Sequence, residues 1–229
     1  GSPVWYYLLS SLLWRLMGNP LLVLALLALA YLVIDRRFIG LLPDFTAPFR
    51  RRRHVARLVE TIRLNPADAN SQLELGAIHM EQGRVDRALP LLEKARARMP
   101  DSARLHSLLG ACYHLLGRGA EAQKALEQAV TLNPKVGYGE PYYHLLAIGL
   151  RDKTRDRAAL EEFKERILTY GSPPVFYRAG RVLLAAGDRA GARAMFGEAV
   201  ENYQAAPKGF RRAYRRWAFI SGIYMRFCR

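Results

Sequence analysis

The side chains best equipped for chemistry are the histidines and the two cysteines, and their spacing decides what they can do. His79, His106, His114 and His144 are spread over separate stretches, and Cys112 and Cys228 stand far apart with no CxxC and no Cys/His cluster at metal-ligand spacing. Nucleophilic or acid–base catalysis needs a nucleophile, a base and an orienting group in recognisable arrangement. The chain has no phosphate loop, no Gly-x-Ser-x-Gly, no His-Glu-x-x-His and no convincing carboxylate pair. It is therefore read as a non-enzyme with no catalytic residue, no metal site and no cofactor. Cys112 is expected to be a small buried residue, and Cys228 lacks the four-residue prenylation pattern.

The elements that carry these residues follow from charge and hydropathy. The chain has 229 residues, 51% of them apolar, and a net charge of +15. That length allows an ample core, two cysteines exclude a disulfide framework, and the aliphatic content excludes a disordered chain. Residues 58–207 are nearly neutral, with 20 Lys/Arg against 18 Asp/Glu. The ends are basic: eight arginines against two aspartates before that stretch, and seven basic residues with no acid after it.

From Leu16 to Ile34 there are 19 residues without a charge. As a helix they would span roughly 28 Å, about the thickness of a bilayer's hydrocarbon core. Asn19-Pro20 reads as a helix start and Pro43 as a stop, which predicts a transmembrane helix over 19–42. The basic cluster follows the apolar run and no small-x-small cleavage site precedes the globular part, so a retained anchor is expected rather than a signal peptide. Residues 1–18, with Trp5, Tyr6 and Trp14, predict a helix lying in the membrane interface. Residues 43–57 are expected as a basic juxtamembrane linker. Trp5, Tyr6, Trp14, Arg36, Arg37, Arg50, Arg51, Arg52 and Arg53 are the expected contacts to anionic lipid headgroups. Arginine excess marks the cytoplasmic side, which predicts a single-pass protein of a bacterial inner membrane with its C-terminal domain in the cytoplasm.

Beyond the linker the sequence repeats every 34 residues. Leu75, Gly76, His79, Gly83, Ala88, Leu92, Ala95 and Pro100 return as Leu109, Gly110, Tyr113, Gly117, Ala122, Leu126, Ala129 and Pro134. This pattern resembles the tetratricopeptide repeat (TPR) family. Repeats are placed at 69–102, 103–136, 140–173 and 173–206, within a solenoid over 53–207 that starts with a half repeat at 53–66 (Leu58, Leu64, Pro66). The third copy, after an insertion at 137–139, departs from the family at Leu150, Arg166 and Gly171. In each unit a small residue lets two helices approach and a large one fills the gap between them. Residues 208–229 predict a basic capping helix, with Phe210, Tyr214, Trp217, Ile220 or Ser221, and Tyr224 turned towards the last repeat.

The expected fold is all-α: a TPR-like right-handed helical solenoid preceded by an interfacial helix and one transmembrane helix. The resemblance implies that His79 is a satisfied core histidine at an aromatic position. It also implies a groove, lined by the first helix of each repeat, that takes an extended peptide or a helix. The groove-facing offsets give Asn70, Leu73, Ala77, Met80, Arg104, Ser107, Ala111, His114, His144, Ile148, Arg151, Tyr177 and Arg181. The mixture suits an acidic-amphipathic ligand. The function expected is a membrane-tethered adaptor or scaffold for a protein partner, as a subunit or assembly factor of a larger membrane complex. Two other readings stay open on the sequence. One is a reversed topology serving envelope or cytochrome assembly from the periplasm. The other, less favoured, is nucleic-acid binding through the basic ends.

Overall fold

The computed structural model of the chain describes residues 23–24, 47–152 and 156–228. The helices are α1 (Ala47–Leu64), α2 (Ala69–Glu81), α3 (Val85–Arg96), α4 (Ala103–Leu115), α5 (Gly119–Leu132), α6 (Glu140–Asp152), α7 (Arg157–Tyr170), α8 (Pro173–Ala185), α9 (Arg189–Ala205) and α10 (Lys208–Phe227). No strand occurs among the described residues. Contacts divide the chain into residues 1–54 and 55–229, with the boundary inside α1. Among the described residues no helix is long and apolar enough to cross a membrane. The expected interfacial helix and the expected span at 19–42 lie outside the described residues, apart from 23–24.

The basic segment 43–57 is not wholly the linker expected of it, because it is helical from Ala47 onward. After Pro48, tolerated in a first turn, no proline or glycine interrupts the chain up to Leu64, and arginine is a good helix former. In the expected half repeat Leu58 is buried, but Leu64 is exposed at the helix end.

Helix pairs α2–α3, α4–α5, α6–α7 and α8–α9 fall within the four repeat windows. Asp68 and Ser102 start α2 and α4 by accepting hydrogen bonds from the backbone N–H groups of Ser71 (3.2 Å) and Leu105 (3.3 Å). Asp188 does the same for α9 through Gly191 at 2.8 Å. Gly83 and Gly117, at φ +71° and +76°, make the left-handed step between paired helices that a side chain would resist. Within the pairs the packing rule is steric. A Cβ built on Gly110 would lie 2.5 Å from Leu126 Cγ, and Gly76 faces Leu92 and Gly180 faces Phe196 in the same way. The third pair carries Ala147 there. Its Ala159 is half-buried, whereas Ala88, Ala122 and Ala192 are fully enclosed.

Two side chains 34 residues apart repair the same defect. Gln72 Nε2 donates to the carbonyl of Pro66 at 2.7 Å, and His106 Nε2 lies 2.6 Å from the carbonyl of Pro100. Each proline opens the turn that leads into the next repeat, and each carbonyl would otherwise be left unpaired near the start of the next helix. His106 is thus the satisfied core histidine. His79, expected in that role, is half-buried with its Nδ1 unpaired among the described residues.

The capping helix α10 packs on α9 and α8. Trp217 and Tyr224 close around Tyr177 at ring distances of 5.3 and 5.7 Å, and Ser221 is fully buried. Phe210, expected inside, is exposed in the first turn of α10.

Candidate interaction face

The first helices form a continuous layer: α2 touches α4, α4 touches α6, α6 touches α8, and α8 touches α10. Most second helices pack on their own partner and on the first helix that follows. One face of the stack is therefore built from α2, α4, α6 and α8 alone.

The structure sorts the expected groove residues into two groups. Asn70, Arg104, Arg151 and Arg181 are exposed, and Met80, His114 and Tyr177 are half-buried. Leu73, Ala77, Ser107, Ala111, His144 and Ile148 are buried and offer a partner almost no surface, which corrects the expectation for these six. Leu73 belongs to the central apolar cluster. Ser107 lies beneath the turn Val136–Gly139, where a Cβ on Gly137 would stand 3.5 Å from its Oγ. His144 is enclosed by His114, Tyr143 and Glu140, with ring distances of 5.0 Å to His114 and 4.8 Å to Tyr143.

Around His144 lies a polar cluster that the sequence reading does not contain. Arg178 Nη1 and Nη2 donate to the two oxygens of Glu140, the first at 2.6 Å. The His144 Nε2 is 3.4 Å from the same carboxylate, and the Arg178 guanidinium lies 4.9 Å over the Tyr143 ring. Burial alone would raise the Glu140 carboxyl, but His144 and Arg178 outweigh it and hold it at about 2. His114 is pushed down to about 4, first by burial and then by His144 and Arg151. The Cys112 thiol, buried with its Sγ 3.1 Å from Met80 Sδ, is pushed up to about 12, chiefly by burial, so it stays protonated. Glu140 opens α6 whereas Arg178 lies in the second turn of α8, so the two hold different repeat positions, 38 residues apart, and a 34-residue comparison does not align them.

What remains at the surface is a row of arginines beside the half-buried Met80, His114 and Tyr177. Arg104, Arg151 and Arg181 stand out from three successive first helices, and none of the groove-facing positions is acidic. Arg151 pairs with Asp152 at 2.7 Å, and Arg181 lies 5.9 Å over the Tyr177 ring. Among the described residues no group of three His, Cys, Asp or Glu side chains is placed to hold a metal ion. On the opposite side, α7 and α9 border an open cleft of roughly 760 Å³, where Lys164 is held by Glu161 and Asp188. Of the expected lipid contacts, Arg50, Arg51, Arg52 and Arg53 are exposed on α1. Trp5, Tyr6, Trp14, Arg36 and Arg37 lie outside the described residues.

Paired antiparallel helices stacked in register, with a shared face of first helices, define a helical-repeat protein. Models of the tetratricopeptide repeat match residues 54–97, 79–147 and 175–205, and the repeats of this chain are tetratricopeptide repeats. The fold is similar to that of TTC0263, a thermophilic TPR protein of Thermus thermophilus (TM-score 0.54, 20% identity, 75% of this chain and 93% of that one). It is similar too to PilW, described as a type IV pilus biogenesis factor (0.54, 16%, 80% and 87%), and to MamA (0.52, 21%, 72% and 98%). No curated protein matches the sequence. TPR units are typically non-catalytic modules for protein interaction, and the chain is read as such a module rather than an enzyme.

Proposed function

We propose that this chain is a membrane-tethered scaffold that holds an acidic-amphipathic segment of a protein partner on the face of α2, α4, α6 and α8. The observation that carries the reading is the exposed arginine on each of three successive first helices, set beside the half-buried Met80 and Tyr177 with no acid at the groove-facing positions. A helix or extended segment with acidic and apolar side chains would satisfy both features at once.

The tether rests on the sequence. The uncharged run from Leu16 to Ile34 is long enough to span a bilayer, and the arginines that follow it favour a cytoplasmic C-terminal domain at a bacterial inner membrane. Trp5, Tyr6 and Trp14 suit headgroup depth, and Arg36, Arg37 and Arg50 to Arg53 suit anionic headgroups. A tethered groove meets neighbouring membrane proteins at a raised effective concentration, which fits a subunit or assembly factor of a membrane complex. Two measurements test the two halves. The full chain floats with membranes after high-salt washing, while a chain lacking residues 1–43 does not. Gentle solubilisation co-purifies a partner with the full chain, and Arg151→Glu with Arg181→Glu loses it. Flotation of the truncated chain overturns the tether; retention of the partner by the double variant overturns the groove.

A further inference from the structure

The outward face of α10 has no role in capping the repeats. Phe219, Ile223 and Phe227 recur at i, i+4 and i+8 and are 70%, 43% and 68% exposed. On a helix these three share one side. The side that packs on the repeats is a different one, carrying Trp217, Ala218, Ser221 and Tyr224. Arg215 and Arg216 flank the apolar row one turn before it, and Arg226 flanks it near the end. Among the described residues no carboxylate pairs with any of the three. From residue 202 onward the sequence holds seven basic side chains and no acidic one.

We propose that this face rests on an anionic lipid surface, with Phe219, Ile223 and Phe227 entering the headgroup region and Arg215, Arg216 and Arg226 meeting its phosphates. Charge favours this occupant: a face with cations of one sign and no acid complements a diffuse negative plane. Shape agrees, since the aromatic side chains project from a convex helix rather than lining a recess. The arginines agree as well. Arg211 is spent on the carbonyls of Ala206 and Gln204, Arg216 has only the Trp217 ring 4.3 Å beneath it, and among the described residues no ion pair or ring contact holds Arg215 or Arg226. The inference rests on the membrane reading above for the presence of a bilayer, but the tether and this contact fail separately.

The test is hydroxyl-radical footprinting of the full chain on vesicles of neutral phosphatidylcholine and on vesicles made anionic with phosphatidylglycerol. Flotation with the neutral vesicles reports the tether alone. The expected result is oxidation of Phe219 and Phe227 at least about fivefold slower on the anionic vesicles. The triple variant Arg215→Gln, Arg216→Gln, Arg226→Gln, whose sites are exposed and whose folding is checked by circular dichroism, should lose that difference. Equal oxidation on the two bilayers overturns the proposal. So does protection that persists in detergent and grows with protein concentration, which would assign the face to a second copy or to another protein.

Discussion

Arg178 on α8 clasps Glu140 at the start of α6 through both of its terminal nitrogens, joining the fourth repeat to the degenerate third. The pair is partly enclosed and fork-to-fork, the geometry in which a charged hydrogen bond contributes most. Arg178→Ala leaves the Glu140 carboxylate with only His144 and should cost about 1–3 kcal/mol of stability. A double-mutant cycle with Glu140→Gln, read by thermal unfolding, should return a coupling of about 1 kcal/mol or more. A coupling near zero would make the contact incidental.

The second and third repeats set the response to acid. The folded His114 titrates at about 4 against an ordinary 6.5, so the unfolded chain binds the extra proton and stability falls as pH drops from 6.5 towards 4. With its partial exposure the loss is roughly 1–2 kcal/mol. Glu140, held at about 2 against 4.5, gives a second loss between those values. His114→Gln should flatten the upper step and Glu140→Gln the lower one in urea midpoints measured across pH. The same slope in wild type and His114→Gln above pH 4 would contradict the assignment.

Glycines in this chain are not equivalent, and two substitutions should have opposite signs. Gly110→Ala pushes a methyl into Leu126 and should destabilise by about 1–3 kcal/mol. Gly197, inside α9 with nothing within 4 Å of its would-be Cβ, should accept alanine and gain roughly 0.5–1 kcal/mol from helix propensity. Chemical denaturation of the two variants compares them directly.

Gln72 and His106 do the same work one repeat apart, so they should be exchangeable. His106→Gln is expected to unfold within about 1 kcal/mol of wild type, because glutamine already meets the Pro66 carbonyl. His106→Leu strands the Pro100 carbonyl and should cost about 1–3 kcal/mol. If the two variants are equally unstable, the ring is needed for its shape rather than its hydrogen bond.

The repeats could be read in the sequence because close helix packing demands small and large residues at fixed offsets, as with Gly110, Ala122 and Leu126. The turns were legible for a similar reason, since Gly83 and Gly117 adopt a backbone conformation that favours glycine. The face was less legible. Leu73, Ser107 and His144 sit at groove-facing offsets and are nonetheless buried, because burial there depends on neighbouring elements rather than on the helix's own period. The Glu140–Arg178 pair joins two different positions of neighbouring repeats, and its 38-residue separation falls outside any repeat comparison. Phe210 was placed on the packed side of α10 by a spacing of three and four, yet the first turn of that helix leaves it exposed.

Site-directed photo-crosslinking in intact membranes tests the scaffold reading most directly. A crosslinker replacing Arg104, Arg151 or Arg181 is predicted to give the same single protein adduct, while one replacing the exposed Gln128 of α5 gives none. Adducts from Gln128 but not from the three first-helix positions would contradict it.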